Sequence, residues 1–178
     1  LELSMKIGIV ILLILGVLLF INKRIRILPT DEYWELSDEE ITAEKPDILV
    51  DLLDINSYSR PGTESGKING IVIHYTANPG STAKNNRDYF ENLKDTQETY
   101  ASAQFVIGLE GEIIQCVPCN EVAYCSNRLN EICISIEMCH PDEYGNFNDA
   151  TYNNCVYLVA KLMNYYHMDM DQLIRHYD

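Results

Sequence analysis

The chain has 178 residues, with 13 Lys and Arg residues against 27 Asp and Glu residues and a formal net charge of −14. This length suits one domain of about 100–150 residues plus an extension. Its 47% hydrophobic and 22% charged residues are ordinary globular values and exclude wholesale disorder. The acidic balance excludes a nucleic-acid binder, because phosphate neutralisation requires a basic face.

An uncharged apolar segment runs from Ile7 to Ile21. Its fifteen residues would extend about 22 Å as a helix, short of the ~30 Å hydrocarbon core, and the flanking Lys6 and Lys23 can snorkel to close the gap. No cleavage site of small residues follows it, which argues against a signal peptide. A buried core helix is seldom apolar on every face. We therefore predict that residues 1–28 form a membrane anchor with one transmembrane helix.

Residues 29–66 are acidic and interrupted by Pro29 and Pro46, a composition typical of a stalk or linker. Residues 1–28 hold four of the 13 cations and one of the 27 acids, which leaves 9 cations and 26 acids in the rest of the chain. That part is therefore repelled by anionic lipid. Three cations follow the apolar segment and one precedes it, so the positive-inside tendency alone favours a cytoplasmic domain.

Residues 67–178 carry the patterns of strands and helices. β-Branched runs between turn residues predict strands, apolar spacing of three and four predicts helices, and a Gly-containing turn joins two strands in a hairpin. These elements predict a central mixed β-sheet with flanking helices, of α/β or mixed α+β class. They are a strand at 71–73, a helix at 84–93, a hairpin of 104–107 with 113–117, a strand at 132–137, a helix at 148–166 and a short helix at 171–174.

The buried faces of these elements follow from the same periodicity. Strand 132–137 places Ile132, Ile134 and Ile136 on one face and Cys133, Ser135 and Glu137 on the other. Asn148 is the expected N-cap of the long helix. The residues predicted to point inward are Tyr89, Phe90 and Leu93 in the first helix and Tyr152, Cys155, Val156, Val159, Leu162, Met163 and Tyr166 in the second.

Two histidines, His74 and His176, each follow apolar residues and precede a tyrosine, as expected at the end of a buried element. A hydrolytic zinc site needs about three protein ligands plus water, commonly His with Cys or a carboxylate. Their separation of 102 positions is a weak signal, so two ordinary histidines remain the alternative. Glu137 ends a strand, where a carboxylate can accept a proton from a metal-bound water or simply be solvated.

Five segments in order resemble the zinc N-acetylmuramoyl-L-alanine amidases of the type 2 family, which includes phage-type amidases and peptidoglycan recognition proteins. The resemblance covers residues 67–178 and looks closest to amidases of clostridial-type bacteria and their phages. The segments are 71–76 (IVIHYT), 101–115 (ASAQFVIGLEGEIIQ), 121–124 (EVAY), 134–137 (ISIE) and 175–178 (RHYD).

The resemblance implies a mixed sheet with flanking helices and hydrolysis of the amide between the lactyl group of N-acetylmuramic acid and L-alanine of the stem peptide. By position, His74 and His176 match the first two ligands of a Zn²⁺ cofactor. Glu137 matches the glutamate that activates the zinc-bound water and passes its proton to the leaving amine. Zinc lowers the pKa of that water towards ~7 and polarises the scissile carbonyl.

The chain also departs from the family pattern. The third ligand of the family, a Cys or Asp, and a neighbouring lysine follow the second histidine, and they match no residue up to Asp178. Either the protein continues beyond this residue or it does not turn over, and a non-catalytic peptidoglycan-binding module is the alternative function. Gln104 and Cys125 stand where relatives often have His. We predict that Tyr75, Gln104 and Tyr124 contact the substrate.

The six cysteines (Cys116, Cys119, Cys125, Cys133, Cys139 and Cys155) are interpreted mainly as small buried residues. A redox pair at Cys116 and Cys119, and a structural zinc at these two with His140, are less favoured alternatives. Because peptidoglycan lies outside the membrane, the substrate overrides the cation count. The sequence therefore predicts a monomeric, single-pass cell-membrane protein whose domain faces the wall and binds no nucleic acid.

Overall fold

The computed structural model describes residues 46–176, in which six strands form a single sheet. The strands are β1 (Ile48–Val50), β2 (Gly70–Tyr75), β3 (Phe105–Ile107), β4 (Ile113–Gln115), β5 (Cys133–Met138) and β6 (Leu173–Arg175). The helices are α1 (Ala83–Thr96) and α2 (Asp149–Tyr166), and 3-10 turns cover Asn127–Leu129 and Met170–Gln172.

The strand order in the sheet is β1-β4-β3-β5-β2-β6. Strand β2 pairs in parallel with β5 and β6, and β3 pairs in parallel with β5. Strand β4 is antiparallel to β3 and parallel to β1. The mixed sheet with flanking helices is therefore confirmed, and the carboxyl ends of β2, β5 and β6 lie at one edge.

The two faces of the sheet are covered differently. Helix α2 packs against β3 and β5, whereas α1 packs mainly against β3 and β4. Because side chains alternate along a strand, the face under α2 is apolar, with Ile71, Ile134, Ile136 and Leu158 buried in its core. On the other face, α1 covers β3 and β4, and the part formed by β2 and β5 lies outside the area that this helix covers.

Both helices begin at side-chain caps. Thr82 caps α1 in a capping box with Asn85, and Asn148 caps α2 by accepting a hydrogen bond from the backbone N–H of Thr151. The N-cap predicted at Asn148 is therefore confirmed. Both helices end at left-handed residues, Gln97 (φ 55°) and His167 (φ 55°).

Some details of the sequence prediction were wrong. Tyr89, Tyr152 and Val156 were predicted to point inward, but they are 42%, 57% and 50% exposed. The inward stripe of α2 contains Leu158 instead, because this helix contacts the sheet along a narrow strip. The short helix predicted at 171–174 is a 3-10 turn followed by β6, which pairs with the otherwise free edge of β2.

Part of the segment predicted as a stalk belongs to the sheet. Strand β1 pairs with β4, and Leu53 is 1% exposed. The predicted anchor at residues 1–28 and the rest of the stalk up to residue 45 lie outside the described residues. Within residues 46–176, no helix combines the length and the apolar character that crossing a bilayer requires.

Candidate metal centre

His74 and His176 meet at the carboxyl edge of the sheet. His74 lies near the end of β2, and His176 directly follows β6, where its backbone N–H donates to the carbonyl of Ile73 (3.1 Å). The two Nδ1 atoms are 2.8 Å apart, and the ring centroids are 4.7 Å apart. Two residues separated by 102 positions are thus brought together by the parallel pairing of neighbouring strands.

The environment of His74 favours the neutral imidazole that binds metal. The residue is 7% exposed, and burial, with a smaller contribution from His176, lowers its pKa to about 4. Two nitrogens that share a tetrahedral zinc ion at 2.0–2.1 Å are about 3.3 Å apart. The two Nδ1 atoms are 2.8 Å apart, slightly closer than that spacing. A small rotation of either ring would remove the difference, so the pair fits zinc.

Glu137 lies opposite His74 in the pairing of β5 with β2. Its Oε1 accepts a hydrogen bond from the Cys125 thiol (3.4 Å), whereas its buried Oε2 has no hydrogen-bond partner among the described residues. Burial raises the pKa of Glu137 to about 7. A carboxyl group with this pKa and one free oxygen can both take up and release a proton near neutral pH.

Cys125 completes a second arrangement around the same histidine. Ligand atoms of His74, Cys125 and Glu137 all lie within 4.8 Å of one another. Within residues 46–176 this is the group of three ligand-type side chains that the fold assembles. Cys125 departs from the family pattern in the sequence, but no spacing rule places it beside His74.

The loop that carries Cys125 is fixed by hydrogen bonds that the sequence analysis missed. The Oδ1 atom of Asn130 accepts from the backbone N–H groups of Cys125 (3.0 Å) and Ser126 (2.6 Å). The Ser126 hydroxyl lies 3.1 Å from His74 Nε2 and 3.1 Å from the hydroxyl of Ser135. This loop therefore covers the polar face of β2 and β5 and orients the second ring nitrogen of His74.

Comparison with known proteins identifies the family. The model of the N-acetylmuramoyl-L-alanine amidase family matches residues 64–178. The chain belongs to this family. A probable N-acetylmuramoyl-L-alanine amidase and the N-acetylmuramoyl-L-alanine amidase CwlL, both of Bacillus licheniformis, are 32% and 33% identical to it over 143 residues. Each match covers 74% of the chain but only 40% and 39% of the relatives, so the chain spans about 40% of their length.

Two solved structures have a similar fold. The catalytic domain of XlyA is 26% identical, with a TM-score of 0.62, and the match covers 73% of this chain and 84% of that structure. A mutant endolysin from Bacillus subtilis is 25% identical with a TM-score of 0.63 and covers 74% and 84% of the two chains. The resemblance on which the sequence analysis relied is therefore confirmed.

Gln104, predicted to contact substrate, occupies a structural position in the amidase fold. It is 1% exposed. Its Oε1 accepts from the backbone N–H of Ser135 (2.8 Å), and its Nε2 donates to the carbonyl of Glu121 (3.0 Å). Because burial and these two bonds occupy its amide, Gln104 fastens the loop before Cys125 to β5, and its position does not support contact with a ligand.

The two tyrosines predicted to contact substrate lie beside the metal centre in sequence. Tyr75 follows His74 and is 56% exposed, with its ring 5.3 Å from that of His140. Tyr124 precedes Cys125, and its ring meets Tyr100 edge-on at 5.6 Å. Their roles toward a substrate stay predictions.

All six cysteines are free. Burial raises the pKa of Cys116 to about 12 and that of Cys119 to about 11. A redox-active thiol has a depressed pKa instead, so the redox alternative gains no support. Within the described residues, Cys116, Cys119 and His140 do not assemble into a metal-ligand group.

Proposed function

We propose that this protein is a zinc-dependent amidase that hydrolyses the bond between N-acetylmuramic acid and L-alanine in peptidoglycan. The observation that carries the proposal is the meeting of His74 and His176 at 2.8 Å, with Glu137 opposite His74 on the neighbouring strand. Membership of the amidase family supplies the bond and the substrate. Peptidoglycan is therefore the proposed partner.

In this proposal His74 and His176 would hold the zinc ion. When bound, zinc supplies a Lewis acid for the scissile carbonyl and lowers the pKa of water to about 7. Glu137 takes the proton of the attacking water at Oε2, the oxygen without a partner among the described residues, and returns it to the leaving nitrogen of L-alanine. A pKa of about 7 suits both transfers, because the group must first accept and then donate.

The alternative is a module that binds peptidoglycan without cleaving it. Such a module would need the groove but no proton carrier, and a buried ionisable carboxyl is costly to keep without a role. The placement of Glu137 beside His74 therefore favours the enzyme.

The test is to incubate the purified protein with peptidoglycan and to measure newly released amino termini of L-alanine alongside new reducing sugars. We expect amino termini to appear and reducing sugars to stay constant. Glu137→Gln should lower turnover about 10²–10⁴-fold while it retains zinc. The exposed Glu143 provides the control Glu143→Gln, which should be fully active. Binding to peptidoglycan without any release of L-alanine termini would instead support the non-catalytic module.

We also propose that the protein acts as a monomer at the cell membrane, with its domain on the outer side. The apolar segment from Ile7 to Ile21 and the external location of peptidoglycan support this placement. A cysteine introduced at the 80%-exposed Tyr144 should react with a membrane-impermeant thiol reagent in intact cells. Labelling that appears only after lysis would place the domain inside.

A further inference from the structure

Three tyrosines, Tyr58, Tyr100 and Tyr124, form a cluster at the surface, which we call the tyrosine cluster. The rings of Tyr58 and Tyr100 are stacked, with centroids 5.0 Å apart and planes 21° apart. Tyr100 also meets Tyr124 edge-on at 5.6 Å. Tyr100 is 61% exposed, and the other two are partly exposed. The proposed mechanism uses none of these rings, so their arrangement needs another explanation.

Backbone hydrogen bonds hold the three segments of the tyrosine cluster together. The N–H of Ala101 donates to the carbonyl of Tyr58 (3.2 Å), and the N–H of Ser102 donates to the carbonyl of Tyr124 (3.0 Å). In return, the N–H of Tyr124 donates to the Ser102 hydroxyl (2.9 Å). Segments that are distant in sequence are therefore fixed side by side, and their rings need little further ordering when they bind a ligand.

The ring of Tyr58 is also held at its outer end. Its hydroxyl donates to Oε1 of Gln97 (3.2 Å), and its backbone N–H donates to Oδ1 of Asn56 (2.7 Å). Tyr58 is therefore a fixed support for the exposed ring of Tyr100. Exposed aromatic surface that a protein holds in one geometry is typical of a binding site.

The tyrosine cluster begins next to the metal centre. Tyr124 directly precedes Cys125, whose thiol donates to Oε1 of Glu137 (3.4 Å). Consecutive Cα atoms are about 3.8 Å apart, so the first residue of the cluster adjoins the loop that covers the proposed reaction site. From there the cluster continues through Tyr100 to Tyr58. A long substrate bound at the metal centre can therefore extend onto these rings.

The charges around the tyrosine cluster favour a neutral ligand. Two cations near Tyr58 are already paired, Arg60 with Glu121 (2.8 Å) and Lys94 with Asp54 (2.7 Å). The chain as a whole has a net charge of −14, so an anionic polymer would be repelled. Aromatic faces carry negative partial charge, so they attract the positively polarised C–H groups on the face of a sugar ring. N-acetylated sugars combine such a face with no net charge.

We propose that the tyrosine cluster is a subsite for the glycan strand of peptidoglycan, in which sugar rings next to the cleaved muramyl unit stack on Tyr100. The inference rests on the proposed function, which supplies the polymer and the position of the scissile bond. It adds that the protein recognises the sugar chain as well as the amide that it cleaves.

The binding test uses chitotetraose, an uncharged oligomer of N-acetylglucosamine, titrated into the full chain and followed by calorimetry. We expect saturable binding in the parent and an affinity about 5–10-fold lower in Tyr100→Ala, since one stacking contact is lost. Tyr100→Phe keeps the ring and should retain the parent affinity. The matched control is Tyr144→Ala, at a tyrosine that is 80% exposed and lies outside the cluster, and it should bind like the parent.

The kinetic test compares intact glycan strands with a muramyl tripeptide that carries a single sugar. In Tyr100→Ala, KM should rise about 5–10-fold on the strands and less than about 2-fold on the muramyl tripeptide, because the second substrate does not reach the cluster. An equal rise in KM on both substrates would assign the cluster to the stem peptide and overturn the proposal.

Two further results would overturn the proposal: no binding of chitotetraose to the parent, or equal affinity in the parent and in Tyr100→Ala. If Tyr100→Ala misfolds, nuclear Overhauser contacts between the Tyr100 ring and chitotetraose in the parent decide the question, and their absence refutes the subsite. A parent that binds chitotetraose through Tyr100 but releases no L-alanine termini from either substrate supports the subsite and refutes the amidase function.

Discussion

The two faces of strands β2 and β5 differ in what covers them. Toward α2, Ile71, Ile134 and Ile136 are fully buried in an apolar core. On the opposite face, His74 and Glu137 lie beneath the loop that carries Cys125. Burial there lowers the pKa of His74 and raises the pKa of Glu137. The same two strands therefore serve stability on one side and chemistry on the other, because alternation separates the two sets of side chains completely.

The largest expected effect concerns the polar face. His74→Ala removes the side chain shared by both ligand arrangements, so bound zinc and hydrolysis of peptidoglycan should both fall to background. Metal content and release of L-alanine termini measure this. His167 provides the matched control, because it is an exposed histidine in a left-handed conformation that Asn also tolerates. His167→Asn should keep full activity, and a variant His74→Ala that still binds zinc would contradict the site.

The apolar face should respond in the opposite way. Ile136 is 0% exposed, and Ile136→Ala leaves a cavity that should lower the free energy of unfolding by about 2–5 kcal/mol. Zinc affinity per folded molecule should not change. Urea unfolding and metal competition measure the two quantities. Ile132→Ala, at a residue that precedes β5 and is 37% exposed, should cost less than about 1 kcal/mol, and an equal loss in both variants would contradict the comparison.

The sequence predicted the apolar face better than the polar one. Alternation of Ile134 and Ile136 is a local signal, and it located β5 correctly. The meeting of His74 and His176 required the family resemblance, since strand order is not encoded in spacing. The loop contacts of Ser126 could not be predicted, because they arise where a segment folds back over a sheet it is not paired with.

The loop itself provides a smaller test. Asn130→Ala removes the oxygen that accepts from the backbone N–H groups of Cys125 and Ser126. Losing these bonds should lower the free energy of unfolding by about 1–3 kcal/mol and weaken zinc binding, because the loop no longer orients His74. Asn146→Ala, at an exposed loop position, is the control and should change neither. Unchanged zinc affinity in Asn130→Ala would show that the loop does not support the polar face.

The smallest net effect is expected from pH in the metal-free protein, because two large contributions oppose each other. Burial lowers the pKa of His74 from 6.5 to about 4, so its contribution to stability is present above pH 6.5 and lost as the pH falls towards 4. Burial raises the pKa of Glu137 from 4.5 to about 7, so its contribution is present below pH 4.5 and lost as the pH rises towards 7. Across its full titration, each group contributes about 3 kcal/mol to the free energy of unfolding.

Between about pH 4.5 and 6.5 the two contributions change in opposite directions, and the parent's free energy of unfolding should vary by less than about 1 kcal/mol. Glu137→Gln leaves only the His74 contribution, so the free energy of unfolding of this variant should rise by about 2 kcal/mol over the same range. Urea unfolding in a metal chelator at several pH values measures both curves. If the free energy of unfolding of Glu137→Gln did not change with pH, burial would not hold His74 neutral. The polar face would then lack the desolvation that distinguishes it from an ordinary solvated surface.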